Sequence, residues 1–260
     1  MDSDILKFNK VNRKEFTEFK LPFIGGSRLY TYSSEVFDNK NIQLTVFNRK
    51  IRIIHLGKIS GKHRFQLITL EFDTGNTEQV NSKIIKKLSY LFDDIIVTVD
   101  ETMAIDKVIN NAELLIRWEL IKEKISKTYK GAEIENYFIA LDQILNNEKE
   151  LIQFFQEYKM FGLFFNGFLQ DFPINKNVFF EKLDKNLIAN FVNNDADCIE
   201  IKLISKANNE EIYYYENSIL LDGLIKLVDN DKEYKYKLIS LGLRKNPQDL
   251  FAKNNRYGGK

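Results

Sequence analysis

The sequence predicts an α+β fold: antiparallel strands, a block of helices, then antiparallel strands again. Three observations predict it. Apolar residues alternate with a period of two at about 27–73 and 95–109, take helical spacing at about 110–170, and alternate again at about 178–241. The turn signals between strands are short, which implies hairpins. No Pro/Ser/Gly-rich linker interrupts the order, and a doubly wound parallel sheet would alternate strand and helix throughout. One curved sheet packed on the helices is therefore expected. It would form a single domain over 1–245, with 110 and 173 as the places where it could divide, and a polar tail over 246–260.

The elements follow in order. Arg13 to Phe19 reads as a short helix or an arm, and Leu21 to Gly26 as a turn, with Pro22 and the Gly25-Gly26 pair as punctuation. Tyr30, Thr31, Tyr32 and Val36 mark a strand over 27–37. After a hairpin tip at Asn39-Lys40-Asn41, Ile42, Leu44 and Val46 alternate with polar residues. Ile51 and Ile53 continue the pattern to a tight turn at Ser60-Gly61-Lys62, and Phe65, Leu67 and Thr69 form the next strand. Val80, Ile84, Leu88 and Leu91 share one helical face, with Thr77 as the expected N-cap. Asp93-Asp94 breaks that helix. Ile95 to Val99 and Met103 to Ile109 then form a hairpin.

Asn110 and Glu113 have capping-box spacing ahead of a stripe of Leu114, Leu115, Trp118, Ile121 and Ile125, and Gly131 is the expected stop. Ile134, Phe138, Leu141 and Leu145 mark the next helix. Leu151 to Phe172 holds seven phenylalanines, and its periodicity slips at Phe161-Gly162. Beyond Pro173, strands are expected at Val178 to Phe180, Ile188 to Val192, Cys198 to Ser205 and Glu211 to Tyr215. Three more follow at Ser218 to Leu221, Leu224 to Val228 and Tyr234 to Leu241. Asn208-Asn209, Asp222-Gly223 and Asp229-Asn230-Asp231 are read as turns.

Composition narrows the function. At 260 residues and 44% apolar, the chain is long enough to bury a core without disulfides or metals. The net charge of +1 has its Lys and Arg spread along the chain, including the short grouping Arg49-Lys50-Ile51-Arg52, which reads as a solvated face. No nucleic-acid partner is expected. The single cysteine, Cys198, forms no internal disulfide and reads as a buried structural thiol. No apolar run is long enough to span a bilayer, and the N-terminal residues lack the apolar core of a signal peptide. A cytoplasmic location is expected. The Asn, Lys and Ile bias fits an AT-rich bacterial genome.

No constellation for catalysis, cofactor or metal stands out. His55 and His63 with one distant cysteine lack zinc-site spacing. Asn193 to Asp197 lacks the glycine and the closing glutamate of a calcium loop. Asp73-Thr74-Gly75 resembles the Asp-Thr-Gly triplet of aspartic proteases. Their chemistry needs two aspartates sharing a proton, so the resemblance implies a homodimer in which each Asp73 supplies one. A strand end turning on Gly75 accounts for the same residues without chemistry.

The aromatic content is the positive signal. Tyr213 and Tyr215, with outward-facing tyrosines on neighbouring strands, suit a protein-binding surface. Phe161, Phe164, Phe165 and Phe168 either fill the core or line an apolar groove. The leading expectation is a non-enzymatic binding or assembly component, such as an adaptor, a structural subunit or an immunity-type factor. Its partner would be another protein or a second copy. The alternatives are a carrier holding an apolar ligand in a Phe-lined cavity, and an aspartyl hydrolase using Asp73.

Overall fold

The computed structural model of the chain describes residues 16, 26–75, 80–167, 170–181, 184–192, 197–205 and 209–241. Eleven strands are described: β1 (Gly26–Phe37), β2 (Gln43–Ile59), β3 (Lys62–Asp73), β4 (Asp94–Val99), β5 (Ile105–Val108), β6 (Asn177–Phe180), β7 (Lys185–Phe191), β8 (Cys198–Ser205), β9 (Glu210–Glu216), β10 (Ile219–Asp229) and β11 (Lys232–Leu241). The helices are α1 (Val80–Ser89), α2 (Asn111–Ser126), α3 (Ala132–Asn146), α4 (Glu148–Glu157) and α5 (Lys159–Phe164), with a 3-10 turn at Tyr90–Phe92.

All eleven strands join one antiparallel sheet in the order β5-β4-β3-β2-β1-β11-β10-β9-β8-β7-β6. The α+β class with one curved sheet is what the sequence predicted. The order also explains the helices. The chain leaves the sheet at one edge, β5, and re-enters at the other, β6, so α2 to α5 must cross between the edges. Register shifts at Lys50/Ile51, His55/Gly57 and Leu220/Asp222 insert bulges, which bend and twist the strands that carry them.

The hairpins owe their registers to tight turns. Ser60-Gly61, Asn217-Ser218 and Asn230-Asp231 each place two successive residues at positive φ, the geometry of a two-residue turn that matches strand twist. Asp222-Gly223, read as a turn, lies instead inside β10, paired with Ile239 and Leu238. The true turn is five residues upstream, at Asn217-Ser218.

One face of the sheet carries the core. Cross-strand partners share a face, so Tyr30 with Ile51, Ile53 with Leu67, and Tyr213 with Ile201 form buried rows. Leu114, Trp118, Ile121 and Ile125 of α2 are buried, as their spacing predicted. Trp118 is fully enclosed. Its Nε1 donates to Asp142 Oδ1 of α3 at 2.6 Å, and its ring meets Phe138 edge-on at 5.4 Å.

Helix ends follow different chemistry from that expected. Asn110 stands at the N-cap position of α2 but makes no side-chain cap. Its amide is turned to β4, donating to the Asp94 carbonyl at 2.9 Å and accepting from the Ile96 N–H at 2.8 Å. Asn110→Ala leaves the Ile96 N–H without its partner in a buried place and takes one of two donors from the Asp94 carbonyl, which keeps Arg117 Nη1. It is expected to lower stability by about 2 kcal/mol in a urea titration. Gly131 precedes α3 at φ 137° rather than ending α2, which stops at Ser126. Asn147 caps α4, accepting from the N–H groups of Lys149 and Glu150. The helical break near the phenylalanines falls at Tyr158, between α4 and α5, and Gly162 lies within α5. Thr77 and Leu21 to Gly25 lie outside the described residues, as does the 246–260 tail. Of Arg13 to Phe19 only Phe16 is described, in an isolated bridge to Pro173.

Candidate functional site

A cavity of about 570 Å³ lies between the centre of the sheet and the helices. Its floor is built by strand register. On β1, Tyr32 and Ser34 point the same way. Tyr32 faces Arg49 of β2, and Ser34 lies between Phe47 of β2 and Tyr236 of β11. Phe72 of β3 extends the floor beside Arg49. The roof comes from α1 (Ile85, Leu88, Ser89), from Phe92, and from Phe154 and Tyr158 where α4 gives way to α5. Tyr137, Glu157 and Lys159 complete the lining.

The walls are mostly rings. Phe47 stacks on Phe72 at 6.3 Å, and Phe92 meets Phe154 at 5.3 Å. Tyr158 contacts Phe154 at 6.0 Å and Phe161 at 5.6 Å, which fixes the α4–α5 corner. Burial pushes the phenols of Tyr32, Tyr137 and Tyr236 above their ordinary range. The Tyr158 phenol adds to each shift, so these hydroxyls stay protonated. Arg49 is the buried charge of the floor. It lies over the Phe72 ring at 4.7 Å, and its Nη1 donates to Thr69 Oγ1 at 3.3 Å. Asp93 Oδ1 is 3.9 Å away. Burial raises the Asp93 carboxyl, against the pull of Arg49 and Arg117.

A second cavity, of about 310 Å³, lies on the other side of α5 and is more polar. Lys185 Nζ donates to Glu211 Oε1 at 2.7 Å, and Tyr213 Oη to Glu211 Oε2 at 3.2 Å. Phe165, Asn166 and Tyr213 line it, and Lys159 touches both cavities.

The residues singled out from sequence are placed as follows. Phe161 and Phe164 are buried in the core under α5, and Phe165 is buried beside the second cavity. Phe168 lies outside the described residues. Tyr213 and Tyr215 are both buried on the helix side of β9, and Tyr215 accepts from Asn166 Nδ2 at 3.3 Å. Tyr214 is buried on the opposite face with Ile212 and Leu224. Asp73 ends β3 at the surface, where its Oδ1 accepts from the Gly75 N–H at 3.2 Å, a turn contact. His55 and His63 stack, with Nε2 and Nδ1 3.0 Å apart, and burial lowers both below the ordinary histidine value. Among the described residues no three His, Cys, Asp or Glu side chains converge as metal ligands.

Sequence reasoning passed over Arg49. It was grouped with Lys50 and Arg52 as a solvated face, but it is in phase with Ile51 and Ile53, and that phase is the signal that turns it inward.

No family model matches the chain, and no curated protein does. Three solved structures are similar. One shows lipid–protein interactions in lipovitellin, with 9% identity over 86% of this chain and a TM-score of 0.43. The chain spans only 26% of that protein. The second is a DUF1329 family protein from Desulfovibrio piger, with 9% identity, 83% of this chain and 84% of that one covered, and a TM-score of 0.22. The third, from Vibrio parahaemolyticus, is described as an outer membrane lipoprotein-sorting protein domain. It has 10% identity, 88% and 91% coverage, and a TM-score of 0.19. At these values no family is established. The cytoplasmic location expected from the N-terminal residues does not stand. A missing apolar leader does not assign a compartment. Among the described residues no helix is long and apolar enough to cross a membrane.

Proposed function

We propose that this protein binds an apolar ligand in the cavity between α1, α3, α4 and strands β11, β1, β2 and β3. The observation that carries the reading is the cavity itself, a ring-lined space of about 570 Å³. Small-molecule sites occupy roughly 300–1,000 Å³ and are mostly apolar with a few convergent polar groups. Protein interiors are otherwise packed as densely as organic crystals. A space of this size under a roof of three helices therefore suits an occupant. The reading of a protein-binding surface drew on exposed tyrosines, and Tyr213 and Tyr215 are buried. The cavity thus supports an apolar-ligand carrier over an adaptor.

The test uses lipid-stripped protein and dodecyl-chain probes. Binding is expected to raise the melting temperature by several degrees, since a ligand that binds only the folded state stabilises it by mass action. Leu88→Trp places an indole at the roof and is expected to weaken binding tenfold or more while the fold, followed by circular dichroism, survives. Equal binding by wild type and Leu88→Trp, or no thermal shift with any probe, rules the cavity out as the site.

A further inference from the structure

The cavity floor holds a charge that its surroundings do not fully answer. Arg49 is 6% exposed, and a guanidinium removed from water needs close, well-aligned acceptors. Its contacts are thin. The Thr69 hydroxyl is neutral, and the Asp93 carboxylate at 3.9 Å is beyond hydrogen-bond length. Both contacts fall on Nη1. Among the described residues, Nε and Nη2 make no hydrogen bond, and neither is sealed from open space.

The local charge is also unbalanced. Arg49 and Arg117 both act on the one carboxylate of Asp93. Arg117 is already committed, with Nη1 donating to the carbonyls of Leu91 and Asp94. The cavity's other charged residues, Glu157 and Lys159, are opposite in sign and leave the excess in place. Beside Arg49 the floor presents hydroxyls. Tyr32 is its cross-strand partner, and Ser34 and Tyr236 are the next registered pair. Across from the floor, Ile85, Leu88, Phe92 and Phe154 of the roof are apolar, with Ser89, Tyr137 and Tyr158 adding hydroxyls among them. The floor is thus cationic and hydroxylic around Arg49, while the apolar side chains of the roof accept hydrocarbon.

We propose that Arg49, with the hydroxyls of Tyr32, Ser34 and Tyr236, is the receptor for an anionic head group, so that the ligand is an anionic amphiphile. This rests on the reading of the cavity as an apolar-ligand site and adds the ligand's polar chemistry to it. A carboxylate and a phosphate offer the same charged oxygens, and a guanidinium fork accommodates either in bidentate fashion.

Dodecanoate, dodecyl phosphate and dodecanol share a chain and differ in head group. Their dissociation constants, measured calorimetrically on the lipid-stripped full chain, separate the possibilities. Wild type is expected to bind at least one anion about 10- to 100-fold more tightly than dodecanol, the span of a charge-assisted pair. The tighter of the two anions identifies the head group. Arg49→Gln is expected to erase the preference while leaving dodecanol within about twofold, and Arg49→Lys to keep part of it. Tyr236→Phe preserves volume and is expected to weaken the anions by about 2- to 10-fold. It gives an independent readout if Arg49→Gln does not fold. Equal binding of all three probes by wild type overturns the head-group proposal and leaves the cavity reading intact. So does an anion preference unchanged in the variants that fold. Binding of none of the three defeats the cavity reading and this proposal with it.

Discussion

Phe161→Ala is expected to lower the unfolding free energy by about 3–5 kcal/mol, the cost of truncating a fully enclosed phenylalanine. Phe161 has no solvent exposure. Its ring meets Phe155 edge-on at 4.6 Å and Tyr158 at 5.6 Å, across the corner where α4 becomes α5. A helix of six residues has no stability of its own. α5 is therefore held by the side chains it buries, which are Met160, Phe161, Leu163 and Phe164. Equilibrium urea unfolding measures the loss as a lower midpoint at constant slope. A midpoint unchanged from wild type would show that Phe161 does not carry the packing assigned to it. Phe161 does not line the larger cavity, so the variant also separates core from site: stability falls in the absence of ligand.

The architecture was legible because it is written in periodicity. Strands with one buried face alternate, as at Ile51, Ile53, Phe65 and Leu67, and the helices show their stripes at Leu114 and Trp118. What periodicity does not carry is the identity of the neighbour. Tyr213 and Tyr215 alternate in the same way whether their face meets water or helices. Only the crossing of the chain from β5 to β6 decides that helices cover it. Asn110 has the chemistry of a cap, yet the β4 backbone lies closer to hand and takes both ends of its amide. The cavity was least legible of all. Its lining draws on β1, β2, β3, β11, α1, α3, α4 and α5. The aromatic stretch that drew attention contributes Phe154 and Tyr158, whereas Phe161 and Phe164 fill the core beside it. Arg49 was the recoverable member, since an arginine in phase with two isoleucines on a strand must either be exposed with them or be buried for a purpose.

Gly223→Val is expected to cost about 3 kcal/mol, the upper end of ordinary overpacking. Asp-Gly is turn chemistry in sequence, but here the glycine answers a different need. Gly223 sits in mid-strand between Tyr213 and Leu238, at the point where α5 descends onto the sheet. A Cβ added there would stand 2.7 Å from Leu163 Cδ2. Leu163 is itself fully enclosed, so it has no open space to turn into, and the strain passes to α5. The tell-tale is the double variant. Leu163→Ala alone opens a cavity and costs about 2–5 kcal/mol. In Gly223→Val/Leu163→Ala the new methyl groups occupy the vacated space, so the combined loss should fall short of the sum by about 1–3 kcal/mol, a coupling typical of side chains in direct contact. Strict additivity in urea unfolding would mean that the glycine does not serve the close approach of α5, and that the strand tolerates a side chain on its helix face at this position.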